Sequence, residues 1–364
     1  MSINGKQTVW VLGAGFSRSL GGPLLTDLFG PVPEDDDLAY FPQDPYGDLA
    51  RDLSMTRTVF QHGLEQKCWA DAEDFLAKVD EAFDERGPSW IVLERVVRES
   101  YSLVRGNPPK YVDYLADIQR VARRTLAAQT GRFALDPKLE DERWLPYREW
   151  AKTLEPARDT IITFNYDTAL ERISEVEQGR MLTPLPATIQ GVASITRTVP
   201  VYHLHGCVEW VVEGTGVTHI DIEEALDGQR EIAIGIPGPN KSAFAKTIVL
   251  PLWHAAEDVL ATAENIVFVG YSFPKTDTMA HIRLLRAIRG DRCEVDRRYV
   301  HLVLGRDIHS VDHARMVALI DSCHGPRRRT RMHPGSTTGR AFVIRQHPLG
   351  AEDFLAHYSD IIAT

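Results

Sequence analysis

Four short turns carry the residues whose types could do chemistry: Gly13-Ala14-Gly15-Phe16-Ser17, Asn165-Tyr166-Asp167, His205-Gly206 and Gly270-Tyr271-Ser272. Each follows a short run rich in β-forming residues, so each reads as the end of a buried strand. The first turn raises the question of a phosphate cradle. Two glycines bracket Ala14 where strand gives way to helix, and an anion suits such a place. Asn165 offers both a donor and an acceptor. Asp167 offers a carboxylate, and His205 an imidazole whose ordinary pKa of about 6.5 lets it exist in either protonation state near neutrality.

Singly, these signals are weak. The dinucleotide fingerprint G-x-G-x-x-G lacks its third glycine, with Ser19 and Leu20 near that place, which counts against a hydride-transfer enzyme. No Lys-Ser or Lys-Thr pair follows the turn, which counts against a P-loop. Asn165 and Asp167 also suit a helix cap, a role compatible with ligand contact. His203 and His205 alternate on one predicted strand and so share a face, yet no third metal ligand has a suitable spacing. No metal site is expected, and His203 reads as a core histidine.

The elements that must position these turns follow from hydrophobic pattern. Thr8 to Leu12 is the first predicted strand, with a helix from about Ser17 towards Phe29. Gly30 to Asp48, rich in proline and acid, reads as a surface loop that includes the acidic run Glu34 to Asp37. From there to about Pro156 the pattern is helical, with Phe75, Leu76, Val79 and Phe83 at three- and four-residue spacing. Strands return at Ile161 to Phe164, at the segment VYHLHG, at Ile266 to Val269, at YVHLVLG and at AFVIRQ. A β-rich stretch follows VYHLHG, helices are predicted at Thr168 to Glu175 and DTMAHIRLLRAI, and a last helix lies near Asp353 to Ile362. Strands alternating with helices define an α/β fold, a Rossmann-like parallel sheet with helices on both faces, plus a large helical insertion. The insertion spans residues 31–156, and the sheet domain spans 1–30 and 157–364. Ligands bind such sheets at the carboxyl ends of the strands.

Composition narrows the class. With 364 residues, 43% of them hydrophobic and 25% charged, the chain has the make-up of a globular protein with a real core. A net charge of −10 counts against a surface built to grip nucleic acid, so direct nucleic-acid binding is not expected. The strongest basic run, Arg327 to Arg331, reads as a solvated loop, an oligomer contact or a phosphate patch. Cys68, Cys207, Cys293 and Cys323 stand apart from one another, as suits a reducing compartment. No signal peptide or membrane-spanning run is visible, and a cytoplasmic location is expected.

As a set, the four turns resemble the sirtuin family in its divergent sirtuin-like branch. The matching residues are Gly13 to Ser17, Thr163-Phe164-Asn165-Tyr166-Asp167, His203-Leu204-His205-Gly206 and Gly270-Tyr271-Ser272-Phe273, in the family's order. The resemblance implies an NAD site. In it Gly13, Ala14, Gly15 and Ser17 would hold the pyrophosphate, and Gly270 and Ser272 phosphate or ribose, with Thr163 beside them. Asn165 would order a ribose hydroxyl or a water, Asp167 would hold the carboxamide or the developing ribosyl cation, and His205 would be the general base.

Departures from the family bear on the reaction. Sirtuin deacylases carry two C-x-x-C pairs for zinc, and this chain has none. They also carry a Phe-Arg pair where it reads Leu24-Leu25-Thr26-Asp27, and a glutamine where it has Phe164. Without a peptide acceptor the implied outcome is hydrolysis of NAD to nicotinamide and ADP-ribose. The resemblance further implies an NAD-depleting effector of anti-phage defence, a homo-oligomer acting beside a partner such as a hexameric ATPase or an Argonaute-like sensor. Two alternatives stand beside it: a regulatory module that binds NAD or ADP-ribose without turnover, and an NAD-dependent protein deacylase.

Overall fold

In the computed structural model, residues 7–30, 48–82, 87–104, 110–135, 141–189, 197–227, 230–274, 277–289, 297–323 and 341–363 are described. The acidic run Glu34 to Asp37, Phe83, Cys293 and the basic run Arg327 to Arg331 lie outside them. The strands are β1 (Thr8–Leu12), β2 (Asp159–Thr163), β3 (Met181–Leu182), β4 (Val199–His203), β5 (Gly206–Glu213), β6 (Gly216–His219), β7 (Ile232–Ile234), β8 (Asn265–Val269), β9 (Arg297–Val303) and β10 (Ala341–Gln346).

Strands buried on both faces need apolar residues at every position, and TVWVL of β1 and NIVFV of β8 are buried throughout. They lie side by side in a seven-stranded parallel sheet of order β10-β9-β8-β1-β2-β4-β3. Side chains alternate between two helical layers. Val9 and Val11 join a core with helices Leu250–Thr262, Thr278–Arg289 and Val311–Ser322. Trp10 and Leu12 join the opposite core with helices Leu145–Thr153, Ala169–Val176 and Ala351–Ala356. The expected Rossmann-like sheet with helices on both faces is therefore present.

β5, β6 and β7 form a second, antiparallel sheet of order β6-β5-β7. Val208, Val211, Ile232 and Ile234 from this sheet share a core with helices Asp48–Glu65, Ala72–Glu81, Pro88–Ser100 and Ile118–Gly131. The helical segment thus packs against the small sheet, while Leu145–Thr153 packs on the main one.

Three expectations need correction. The helix expected from Ser17 towards Phe29 is a single turn, Ala14–Ser17, continued by a 3-10 turn, Arg18–Leu20. Gly21 has φ +101 and Pro23 follows, so the chain leaves the helical path at once. The strand expected over VYHLHG stops at His203, and Gly206, with φ +84, starts the other sheet. His203 and His205 therefore do not sit on one strand. The last helix is two short ones, Ala351–Ala356 and Tyr358–Ala363.

The register sets Leu12 beside both Thr163 and Val269, and Thr163 beside His203. The four turns consequently leave one edge of the sheet from adjacent strands. The turns after β1 and β8 meet backbone to backbone: Gly13 N–H donates to the Val269 carbonyl at 3.0 Å, and Gly15 N–H to the Gly270 carbonyl at 3.2 Å. Gly270 has φ +66, and a Cβ there would fall 2.3 Å from the Phe16 nitrogen. Gly270→Ala should therefore lower stability by about 2–4 kcal/mol through backbone strain and overlap. An unfolding free energy from urea titration within about 1 kcal/mol of wild type, at unchanged slope, would contradict this close approach.

Candidate active site

Ser17, Asn165 and Asp167 come together although β1 and β2 are separated by the whole helical segment. The Ser17 hydroxyl donates to Asp167 Oδ2 at 3.0 Å and accepts from Asn165 Nδ2 at 3.2 Å. Asp167 Oδ1 accepts the N–H of Ala169, the first residue of helix Ala169–Val176, at 3.1 Å. All three side chains are buried, Asn165 with 9% exposure and Asp167 with 7%. The turn that carries Ser17 is itself anchored, because Tyr147 donates to the Phe16 carbonyl at 2.7 Å.

Burial pushes the Asp167 carboxyl up to about 6, against hydrogen bonds from the Ala169 N–H and the Ser17 hydroxyl. A proton is thus easily gained or lost there near neutral pH.

His205 sits in the turn between β4 and β5, 6% exposed. Its ring stands edge-on to Phe164 at 4.8 Å, and Phe164 stacks on Tyr271 at 3.9 Å. Nε2 lies 3.2 Å from Asp277 Oδ2, out of line for a directed hydrogen bond. Asp277 also accepts from the Tyr271 hydroxyl at 2.9 Å and pairs with Lys241 at 3.4 Å. Burial and the Lys241 charge hold the His205 imidazole below its ordinary value, against the pull of Asp277. Burial would raise Asp277, but His205 and Lys241 outweigh it and keep the carboxyl far below the usual range.

His203 has a different setting. Its Nε2 faces Glu171 at 3.0 Å and its Nδ1 faces the Asn165 carbonyl at 3.2 Å. Burial opposes its charge, but Glu171 outweighs burial and raises the imidazole. The ring is fully buried and acts as a brace beneath the Asn165 turn. Glu171 opens onto a cleft of about 320 Å³ that also includes Arg172, Cys207, Glu209 and His219.

The remaining expected residues divide. The Thr163 hydroxyl is buried and accepts the Asn165 N–H at 3.1 Å, which fixes that turn. Ser272 lies by Arg315, which donates to its hydroxyl at 3.3 Å and to its carbonyl at 2.8 Å. The N–H groups of Gly13 and Gly15 are committed to the β8 turn, as described above. Ala14, half-buried, is the first residue of its helical turn, where an N–H has no intrahelical partner. Trp253 supports the site from below, its indole donating to the Leu204 carbonyl at 3.1 Å. Burial raises the Cys207 thiol well above its ordinary value, which makes it a poor nucleophile.

Asp277 and Lys241 escaped the reading of the sequence. Asp277 immediately precedes helix Thr278–Arg289, where an acid looks like a cap, and Lys241 lies within helix Pro239–Thr247. Only the proximity of Asp277 to the Gly270-Tyr271-Ser272 turn could have pointed to it. Among the described residues, no group of three or more His, Cys, Asp or Glu side chains is arranged to hold a metal. No described helix is long and apolar enough to cross a membrane.

Residues 159–317 match the family model of the SIR2-like domain. That segment contains the Asn165, His205 and Gly270 turns, while the Gly13 turn precedes it and reaches it through the sheet. The chain thus carries a SIR2-like domain over residues 159–317, which supports the resemblance to the divergent sirtuin-like family. SIR2-like domains use NAD, so the match fits an NAD-related function. No curated protein matches the chain.

A carboxyl raised on folding binds its proton more tightly in the folded state. Asp167 therefore contributes stability at pH values below its ordinary 3.8 that is lost as the pH rises through about 6. Asp167→Asn removes that loss and should stabilise the protein at pH 8 by about 1–3 kcal/mol, with no gain at pH 4. Urea unfolding at the two pH values checks this, and equal effects at both would contradict it.

Proposed function

We propose that the protein hydrolyses NAD at the bond between nicotinamide and ribose, releasing nicotinamide and ADP-ribose. The observation that carries this reading is the buried Ser17–Asn165–Asp167 cluster, set on a strand end adjacent to the one that leads to His205. Breaking the glycosidic bond leaves positive charge on the ribose, and a carboxylate with an oriented amide nearby stabilises it. Asp167 and Asn165 supply those groups. His205 takes the proton from the attacking water or a ribose hydroxyl, so that oxygen to hydrogen breaks as nitrogen to hydrogen forms. Gly13 to Ser17, Gly270 and Ser272 border the phosphates and ribose, with the Ala14 N–H and the helical turn favouring the anion.

Hydrolysis is favoured over protein deacylation because the chain has no C-x-x-C pair to build the zinc module that walls a peptide groove. It is favoured over a silent NAD or ADP-ribose sensor because binding alone requires neither a buried imidazole nor the Asn165–Asp167 pair. In this reading the protein depletes NAD as an effector of anti-phage defence, as an oligomer released by a partner such as a hexameric ATPase or an Argonaute-like sensor.

Purified protein incubated with NAD should release nicotinamide at the same rate with and without an acetyl-lysine peptide. His205→Ala and Asn165→Ala should each lower that rate by about 100-fold or more, with NAD binding retained. Tight NAD binding with no release, even with the partner present, would favour the sensor, and peptide-dependent release the deacylase.

A further inference from the structure

His205 faces a carboxylate that two other side chains hold, Tyr271 and Lys241. Its Nε2 is buried, has no directed hydrogen bond, and has Asp277 Oδ2 at 3.2 Å. Asp277 is 3% exposed and cannot wander, because Tyr271 donates to Oδ2 at 2.9 Å and Lys241 lies 3.4 Å from Oδ1. Three separate stretches of chain meet here: the turn before β5, helix Pro239–Thr247 and the segment that follows β8. A helix cap requires none of this convergence.

We propose that Asp277 is a positioning residue for His205: it holds the Nε2 side of the ring and balances the charge the ring gains, with Lys241 opposing it and Tyr271 fixing its carboxylate. This rests on the reading of His205 as the base in NAD hydrolysis. The other partner of His205 is the backbone of Phe164. In the tautomer that keeps its proton on Nε2, the side toward Asp277, the ring lone pair lies on Nδ1, and a ligand hydroxyl arriving there leaves Asp277 in place. The proton moves from the oxygen to Nδ1, and the resulting imidazolium lies against a fixed anion, which is worth more in a buried site than in water.

The charged and titratable groups around the ring fix the sign of each change. Asp277 raises the His205 pKa and Lys241 lowers it. Tyr271 is buried and Tyr166 half-buried, and desolvation pushes both phenols far above neutrality, so both stay uncharged. Glu73 acts on Lys241 and Asp277 from the helical layer, and burial raises its carboxyl. His205 works as a base when neutral, so the acidic limb of kcat/KM for nicotinamide release follows its pKa.

Asp277→Asn should move that limb to lower pH by about one unit, and Lys241→Met should move it to higher pH. Tyr271→Phe, which removes a hydrogen bond but no charge, should leave the limb where it is. A merely structural role for Asp277 lowers the rate without displacing the limb. NMR titration of the His205 ring in the full chain should show the same opposite displacements without any turnover. Should the wild-type protein release no nicotinamide, the hydrolase reading fails while the ring titration still decides the pairing. Displacements in the same direction for Asp277→Asn and Lys241→Met, or none in either, overturn the proposal. If Asp277→Asn does not fold, the upward displacement in Lys241→Met carries the test alone.

Discussion

The Ser17 hydroxyl is the point on which the site turns. It has one proton to give and spends it on Asp167, so it must accept from Asn165. That single choice orients the amide of Asn165 and holds one oxygen of Asp167, while the Ala169 N–H holds the other. The hydroxyl is brought from β1 to a loop beyond β2 by the parallel pairing of Leu12 with Thr163. Everything that strengthens that pairing sharpens the site, from the continuous apolar run of β1 to the Tyr147 hydrogen bond that pins the Phe16 carbonyl.

The glycines of the first turn serve the sheet as much as any ligand. A cradle in the usual sense aims several N–H groups outward, whereas Gly13 and Gly15 aim theirs at carbonyls of the β8 turn. The gain is rigidity, because two turns locked backbone to backbone leave little freedom for Phe16 and Ser17. The cost is a smaller set of outward donors at a helical turn only four residues long. In the proposed NAD site, anion recognition at this turn would rest on Ala14, the turn's dipole and side chains from other strand ends.

The sequence made the middle of the sheet readable and its margins hard. β1 and β8 stood out because strands covered on both faces are apolar at nearly every position, and β2 stood out by the Ile161-Ile162 pair at its centre. The order of the four turns pointed to one edge, and the register bears that out. Alternation misled at His203 and His205, since it holds only within a strand and this strand ends at His203. The helix expected from Ser17 towards Phe29 is broken by the positive φ of Gly21, and beyond it only a 3-10 turn, Leu25–Asp27, remains. β3 has two residues, too short for any periodicity to register. Asp277 was invisible for another reason: its partners come from distant parts of the chain, and local pattern carries no information about them.

Two buried aspartates near the same sheet edge end up with opposite tendencies, and the difference lies in their neighbours. Asp167 is surrounded by a hydroxyl, a backbone N–H and an amide. These stabilise its anion less than burial penalises it, so its proton is held up to about 6. Asp277 is just as buried but lies between a lysine and a histidine, and it stays ionised well into acid. Environments that drive like groups apart divide acid–base roles between them. Asp277 is thereby a permanent charge that cannot itself carry a proton near neutrality, and its influence must pass through His205. Asp167 responds to whatever charge arrives beside Asn165. A developing cation near Asp167 would draw its carboxyl fully into the ionised form, so its attraction grows as the positive charge appears.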